Sequence, residues 1–165
     1  MKVQYRWALL VALSGLSMGC DQATKRIAAA TLQHLPPQSY AGDLFRLQYS
    51  ENQGAFLSMG AGLPEEVRWW LFIGVVGTFL TGLLLFALFS RSLNLMPTVA
   101  IGLVLGGGFS NWIDRVLHGN VVIDFMNMGI GPLRTGIFNV ADIFLVCGTL
   151  VLALSLMRSR PASQL

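Results

Sequence analysis

A bundle of four membrane-spanning helices is the fold class that this sequence predicts, and three observations predict it. The composition is 54% hydrophobic and only 12% charged, about half the charged share of an ordinary soluble domain. Four apolar stretches are separated by polar connections, covering about residues 7–30, 69–89, 97–113 and 137–157. All four tryptophans, Trp7, Trp69, Trp70 and Trp112, lie at the ends of those stretches, where amphipathic rings settle at a membrane–water boundary. The 165 residues suffice for a single domain.

Each stretch is justified by length and by its ends. A bilayer core about 30 Å thick needs about 20 helical residues. The second and fourth stretches meet that requirement alone, and the third is slightly short at 17 residues. The first has 14 residues from Trp7 to Cys20 before Asp21, about 21 Å of helix, so it must continue past Asp21 through Ile27 and Ala28 to Ala30. Asp21 and Lys25 then lie four apart on one face, where they can pair. Pro64, Glu65 and Glu66 suit a helix start before the second span, and Pro97 does the same for the third. Gly74, Thr78 and Gly82, and likewise Gly102 and Gly106, recur every four residues and read as helix-packing surfaces.

Orientation follows from charge. Lys2, Arg6, Arg91, Arg158 and Arg160 occupy three short segments without a single acid, whereas the opposite side holds all eight acids and six basic residues. Basic density therefore places both termini in the cytoplasm. The outer side then carries two connections, Gln33–Leu63 and Asp114–Gly136. In the first, Phe45, Leu47 and Tyr49 alternate with Arg46, Gln48 and Ser50, a strand pattern. In the second, Val121 to Phe125 follow the turn-like pair Gly119-Asn120. The tail 159–165 is expected to be disordered.

Several function classes are excluded or weakened. The net charge of +3 is small and scattered, with no basic run interleaved with aromatics, so no nucleic acid is expected as a partner. Cys20 and Cys147 sit far apart in apolar sequence, and neither they nor His34 and His118 form a cluster with metal-ligand spacing, so neither a metal nor another cofactor is expected. Lys2 and Arg6 followed by an apolar run and Ser17-Met18-Gly19-Cys20 imitate a lipoprotein signal peptide, but three further spans follow. Cys20 is better explained as a small residue of the first helix.

The informative residues are polar groups where lipid should exclude them. A charge inside a membrane costs about 2.5–3.5 kcal/mol on insertion scales. Asn139 and Asp142 lie near the outer end of the fourth span, three apart and on one face. The third span ends in Ser110, Asn111, Asp114 and Arg115, and Asp124 interrupts an apolar strand-like run. Asn111 and Asn139 also suit interhelical hydrogen bonding, Asp114 and Arg115 an interfacial ion pair. Asp124 and Asp142 resist such explanations, because their sequence neighbours are mostly apolar and include no adjacent cation. Two carboxyls sharing a small site cannot both ionise. The ionised one can take a proton from water while the protonated one polarises an amide carbonyl. A Ser–Lys dyad would need Lys25, which Asp21 should keep charged.

Five blocks in order resemble one family. They are Asp21-Gln22-Ala23-Thr24-Lys25, Asn52-Gln53-Gly54-Ala55-Phe56, Gly106-Gly107 with Asn111-Trp112-Ile113-Asp114-Arg115, Val121 to Phe125, and Phe138-Asn139-Val140-Ala141-Asp142. Together they resemble the lipoprotein signal peptidases (signal peptidase II), a family of membrane aspartyl proteases. Two departures are visible: Ser110 stands where the family usually has glycine, and Phe56-Leu57 follows Ala55. The resemblance implies four membrane helices with a small extracytoplasmic β-sheet and a short interfacial helix. It implies a location in the bacterial inner membrane, with the active site near the outer leaflet, and cleavage of diacylglyceryl-modified prolipoproteins just before the lipidated cysteine; a monomer is expected, though no residue pattern fixes the oligomeric state. Asp124 and Asp142 would be catalytic, and Asp21, Lys25, Asn52, Gly54, Asn111, Arg115 and Asn139 would shape or support the site. The rival functions are a small transporter or ion pathway built on Asp142 and Arg115, and an inactive homologue that binds lipoprotein precursors.

Overall fold

The computed structural model describes residues 2–55 and 59–158. The Phe56-Leu57 departure and the tail 159–165 lie outside the described residues. Helix α1 runs over Val3–Leu32, strands β1 and β2 over Gln38–Tyr40 and Phe45–Asn52, and helix α2 over Glu65–Phe89. Helix α3 covers Leu95–Leu117, β3 Val122–Ile130 and β4 Leu133–Arg134, and α4 Val140–Arg158. Among the described residues three helices, α2, α3 and α4, are long and apolar enough to cross a membrane. At 30 residues, about 45 Å, α1 is longer than any of them. It is less apolar because it carries Arg6, Asp21, Lys25 and Arg26.

The boundaries correct the sequence expectations in informative ways. Helix α2 starts at Glu65 rather than Trp69, since Glu65 and Glu66 form its first turn after Pro64. Helix α3 continues four residues past Ile113, so Asp114 and Arg115 belong to its last turn and not to the outer connection. Helix α4 begins at Val140 rather than Ile137. Among the described residues no separate short surface helix appears; residues 59–62 form turns, and the chain then enters α2. Strand β1, which no alternation in the sequence marks, pairs with the start of β2.

Helix α3 is the hub of the bundle. Gly106, Gly107 and Gly108 are consecutive, so successive positions point about 100° apart around the helix, each toward a different neighbour. A β-carbon at Gly106 would stand 2.6 Å from Ser17 Cβ on α1, at Gly107 2.5 Å from the Ala141 carbonyl oxygen on α4, and at Gly108 2.6 Å from Leu80 Cδ2 on α2. Gly102 meets Leu13 on α1 in the same way. The Gly102–Gly106 stripe is therefore a packing surface. The Gly74–Thr78–Gly82 stripe is not: Gly82 meets nothing, Gly74 meets only Trp70 of its own helix, and Thr78 Oγ1 donates to the Gly74 carbonyl. Gly77 is the residue of α2 that admits a neighbour, the Trp112 indole. The core beneath the hub is Leu10, Leu80, Ala87, Ile101 and Leu105. At the far end of the bundle Arg6 and Trp7 of α1 donate to the terminal carbonyls of α2, Arg6 to Leu88 and Ser90 and Trp7 to Leu88.

The strands form one antiparallel sheet in the order β1-β2-β3-β4. It lies at the end of the bundle where α3 stops and α4 starts. Asn120, at φ 68°, and Gly119, at φ 62°, turn the chain out of α3 into β3, and the Asn120 N–H returns to the Arg115 carbonyl at 2.7 Å. A register shift between Leu47 and Ser50 bends β2 beside Asp124, which pairs with Ser50. Irregularities of this kind re-aim side chains.

Gly107→Val should lower the thermal midpoint in detergent, with a loss of about 1–3 kcal/mol from overpacking against the α4 backbone. Gly15→Ala, at a position with open space around it, should be neutral or slightly stabilising. Equal midpoints for the two variants would contradict the hub geometry.

Candidate active site

The first turn of α4 builds half of the site. Asn139 is not inside the helix, as its spacing from Asp142 had suggested, but caps it. Its Oδ1 accepts the Asp142 backbone N–H at 3.0 Å, while its own backbone N–H donates to Asp142 Oδ2 at 3.1 Å. This reciprocal capping box satisfies two otherwise unpaired backbone donors and fixes the Asp142 carboxylate against the helix start.

Strand β3 supplies the second carboxylate. Asp124 is 2% exposed. Its Oδ1 accepts from Asn139 Nδ2 at 2.7 Å and its Oδ2 from Asn52 Nδ2 at 2.9 Å. Asn52, at the end of β2, is held by its own loop, for its Oδ1 accepts the Gly54 N–H at 2.8 Å. Asn111 of α3 donates to Asp142 Oδ1 at 3.0 Å. Each of the four carboxylate oxygens thus faces an N–H donor, and a single amide, Asn139, touches both acids. Burial lifts the Asp124 carboxyl from 3.8 to about 6, with the hydrogen bond from Asn52 opposing and the charge of Asp142 adding to the rise.

Asp124 and Asp142 line one cavity of about 510 Å³. Its walls are Phe72, Val76 and Phe79 of α2 and Leu145, Val146 and Leu150 of α4, with Gly108 of α3 in its floor. Leu150 lies eight residues beyond Asp142, about 12 Å along the helix. The cavity is therefore an apolar groove between α2 and α4 with two acids at one end.

Behind the acids lies a buried ionic cluster that joins α1 to α3. Lys25 is 2% exposed, and its ammonium group lies 2.6 Å from Asp21 Oδ2, 2.6 Å from Asp114 Oδ2 and 2.7 Å from Asn111 Oδ1. Asp21 Oδ1 also accepts the Ala141 backbone N–H at 2.8 Å, at the start of α4. The Asp21–Lys25 pair expected from the spacing is present. An Asp114–Arg115 pair is not; adjacent helical residues point in different directions, and Asp114 faces Lys25.

Arg115 turns the other way. Its Nη2 donates to the Gly54 carbonyl at 2.7 Å and its Nη1 to the Asn111 carbonyl at 3.2 Å, and the guanidinium lies 5.2 Å from the Phe72 ring centroid. It pins the loop that carries Asn52. Phe72 reaches that position from an irregular stretch, Trp70–Val75, wound as a π-helix, and the Trp112 indole N–H donates to the Ile73 carbonyl within it at 2.9 Å.

The structure therefore brings Asp21, Lys25, Asn52, Gly54, Asn111, Arg115, Asp124, Asn139 and Asp142 to one end of the bundle. Sequence reasoning missed Gln22 and the role of Ser110. Gln22 Nε2 donates to Asp114 Oδ1 at 2.7 Å, and the Ser110 hydroxyl donates to Asp21 Oδ2 at 2.7 Å. Ser110 is fully buried, and its hydroxyl reaches from α3 to α1. The available signal was the position of Ser110, Asn111 and Asp114 within one helical turn, where polar groups must find partners on a facing helix.

A family model described as signal peptidase (SPase) II matches residues 13–158. The chain is 34% identical over 143 residues to a lipoprotein signal peptidase of Nostoc punctiforme, covering 87% of this chain and 85% of the relative. It is 33% identical to one of Microcystis aeruginosa, covering 91% of each. It is 32% identical to one of Syntrophus aciditrophicus, covering 92% of this chain and 94% of the relative. A solved structure described as a bacterial membrane enzyme superposes with a TM-score of 0.79 at 25% identity over 94% of this chain and 93% of that one. A second gives 0.75 at 26%, over 92% and 94%. With a match over nearly its whole length, and with polar residues from each of the five blocks gathered at one site, the chain belongs to the signal peptidase II family.

Proposed function

We propose that this protein is an aspartic endopeptidase that removes the signal peptide from diacylglyceryl-modified prolipoproteins, cutting just before the lipidated cysteine. The observation that carries this function is the placement of Asp124 and Asp142 at the end of an apolar groove, with every carboxylate oxygen held by an N–H donor. The pair shares one proton. The ionised carboxylate takes a proton from water, whose oxygen attacks the scissile carbonyl carbon, while the neutral carboxyl donates its proton to the developing oxyanion. Collapse of the tetrahedral intermediate returns a proton to the leaving amine of the cysteine. Family membership favours this chemistry over an ion pathway, and both acids on one cavity wall favour it over an inactive homologue.

The setting follows from the same groups. We assign α1 as a fourth span, because Asp21 and Lys25 are buried against α3 and paired, leaving lipid to meet Val11, Leu16 and Ile27. With both termini cytoplasmic, the sheet and the acids stand at the outer leaflet of a bacterial inner membrane. The chain works as one domain and as a monomer. An acyl chain anchored in that leaflet brings its cysteine to the mouth of the groove, where each buried methylene contributes about 0.8 kcal/mol.

Three outcomes are expected in detergent or nanodiscs with a prolipoprotein substrate. Asp124→Asn and Asp142→Asn each lower cleavage at least about a hundredfold, and the double variant is little worse than either, because the two acids act as one unit. Substantial cleavage by a folded single variant removes that residue from the mechanism. The rate falls as pH rises through a limb near 6, the value to which burial and the charge of Asp142 lift Asp124. Above the limb both carboxyls are ionised and no proton remains for the developing oxyanion; a limb near 4 would contradict the burial of Asp124. Precursor lacking the diacylglyceryl group is cut poorly or not at all, and equal cleavage of both forms would refute the lipid-anchored substrate.

A further inference from the structure

Resting on the assignment of Asp124 and Asp142 as the reacting pair, the geometry points to Lys25 as a positioning residue. We propose that its buried ammonium fixes the orientation of the Asn111 amide, so that this amide presents its N–H group to Asp142. An ammonium has three donors and no acceptor. The atom of Asn111 that faces Lys25 Nζ at 2.7 Å must therefore be the carbonyl oxygen. The amide nitrogen then necessarily faces Asp142, 3.0 Å from Oδ1. The same Asn111 oxygen accepts from Asn139 Nδ2 at 3.1 Å, so the Asn139 nitrogen points inward and reaches Asp124 Oδ1 at 2.7 Å. The far end of Asn139 agrees independently, since its oxygen meets a backbone N–H, that of Asp142.

Without the ammonium, a single donor, the Asn139 amide shared with Asp124 Oδ1, is left to hold the oxygen of Asn111. Its amide can turn over and aim its oxygen at Asp142. That arrangement suits a carboxyl only when the carboxyl carries a proton. Lys25 itself is no candidate for proton transfer to substrate, because its ammonium is held between Asp21, Asp114 and the Asn111 oxygen and does not line the groove. The charged groups around the pair are Asp21 and Lys25 on α1, Asp114 and Arg115 on α3, and the two aspartates themselves, on β3 and α4. Asp21 and Asp114 stand behind Lys25, and Arg115 is turned to the Gly54 carbonyl.

Removing Lys25 alone would strand two buried carboxylates, so the test is a charge-balanced swap. Lys25→Met with Asp114→Asn leaves the cluster at the same formal charge, minus one, since one cation and one anion are lost together. The remaining Asp21 keeps the Ala141 N–H and the Ser110 hydroxyl. With lipidated precursor, the swap should lower kcat at the wild-type pH optimum about tenfold, leave KM within about twofold, and move the acid limb, along which the first carboxylate of the pair forms, to higher pH by about one unit. On an Asn111→Ala background the swap should add less than about twofold, because Lys25 acts through Asn111. Equal loss on both backgrounds, or an unchanged kcat and acid limb, overturns the proposal. If the swap fails to fold, Asn111→Asp carries the test. It is isosteric, keeps an acceptor toward Lys25 and removes the donor toward Asp142, so activity like that of the wild type overturns the proposal. Wild-type cleavage is the internal control. A wild-type protein that cuts nothing removes the proposed function and this inference together, whereas active wild type with indifferent variants removes the inference alone.

Discussion

A lysine ammonium buried to 2% exposure is the constraint on which the rest of the structure depends. An isolated charge taken out of water is unfavourable by several kcal/mol even after relaxation, and a buried pair is tolerated only when its remaining donors and acceptors are met. Lys25 meets that condition with ligands from two helices, Asp21 on its own and Asp114 and Asn111 on α3. Asp21 extends the condition to a third helix through the Ala141 N–H. The cluster therefore fixes the depth and rotation of α1, α3 and the start of α4 relative to one another. Sliding any of them by one turn would leave an unpaired buried charge, and breaking one partner of such a pair costs about 3–5 kcal/mol. Gln22 and Ser110 complete the shell. The hydroxyl of Ser110 gives Asp21 a donor that a glycine at that position could not.

Close approach of the helices is the second condition, and α3 provides it. Helices in lipid gain no hydrophobic drive from associating, so van der Waals contact and hydrogen bonds must hold them. Three consecutive glycines bring α1, α4 and α2 against α3 on three sides. Because α2 and α4 are both drawn onto α3, the groove between them has α3 as its floor, with Gly108 there to keep it deep. Packing and substrate access thus come from the same small residues.

Hydrogen-bond donors dominate the surroundings of the two acids. Amides from β2, α3 and the α4 cap reach Asp124 and Asp142, and no cation forms an ion pair with either among the described residues. Neutral donors hold a carboxylate in place without forcing it to stay ionised as a salt bridge would, and burial favours the protonated form. That balance suits the proton exchange that the proposed hydrolysis requires. The cations nearby are committed elsewhere, Lys25 to the cluster and Arg115 to the Gly54 carbonyl and the Phe72 face.

Much of the architecture could be read from local pattern. Apolar runs of the right length, tryptophans at their ends and glycines at helical spacing reflect the bilayer as solvent, which acts on each segment separately. The i,i+4 pairing of Asp21 with Lys25 is likewise a property of one helix. The motif blocks identified Asp124, Asp142 and their neighbours as residues of one site. What the sequence could not decide was partnership between elements. Asp114 appears beside Arg115 in the chain yet pairs with Lys25, because contact across helices depends on the rotation that the glycines of α3 permit. Asn139 appears to continue the fourth helix yet caps it, because its side chain is drawn to Asp124 on a strand and to Asn111 on another helix. The Gly74–Gly82 stripe looks like a packing face and meets no helix, since Gly77, one position away from Thr78, faces Trp112. Residue types and spacings encode which groups need partners. Only the tertiary structure decides which partner each receives, since burial and hydrogen-bond satisfaction are resolved by all the elements at once.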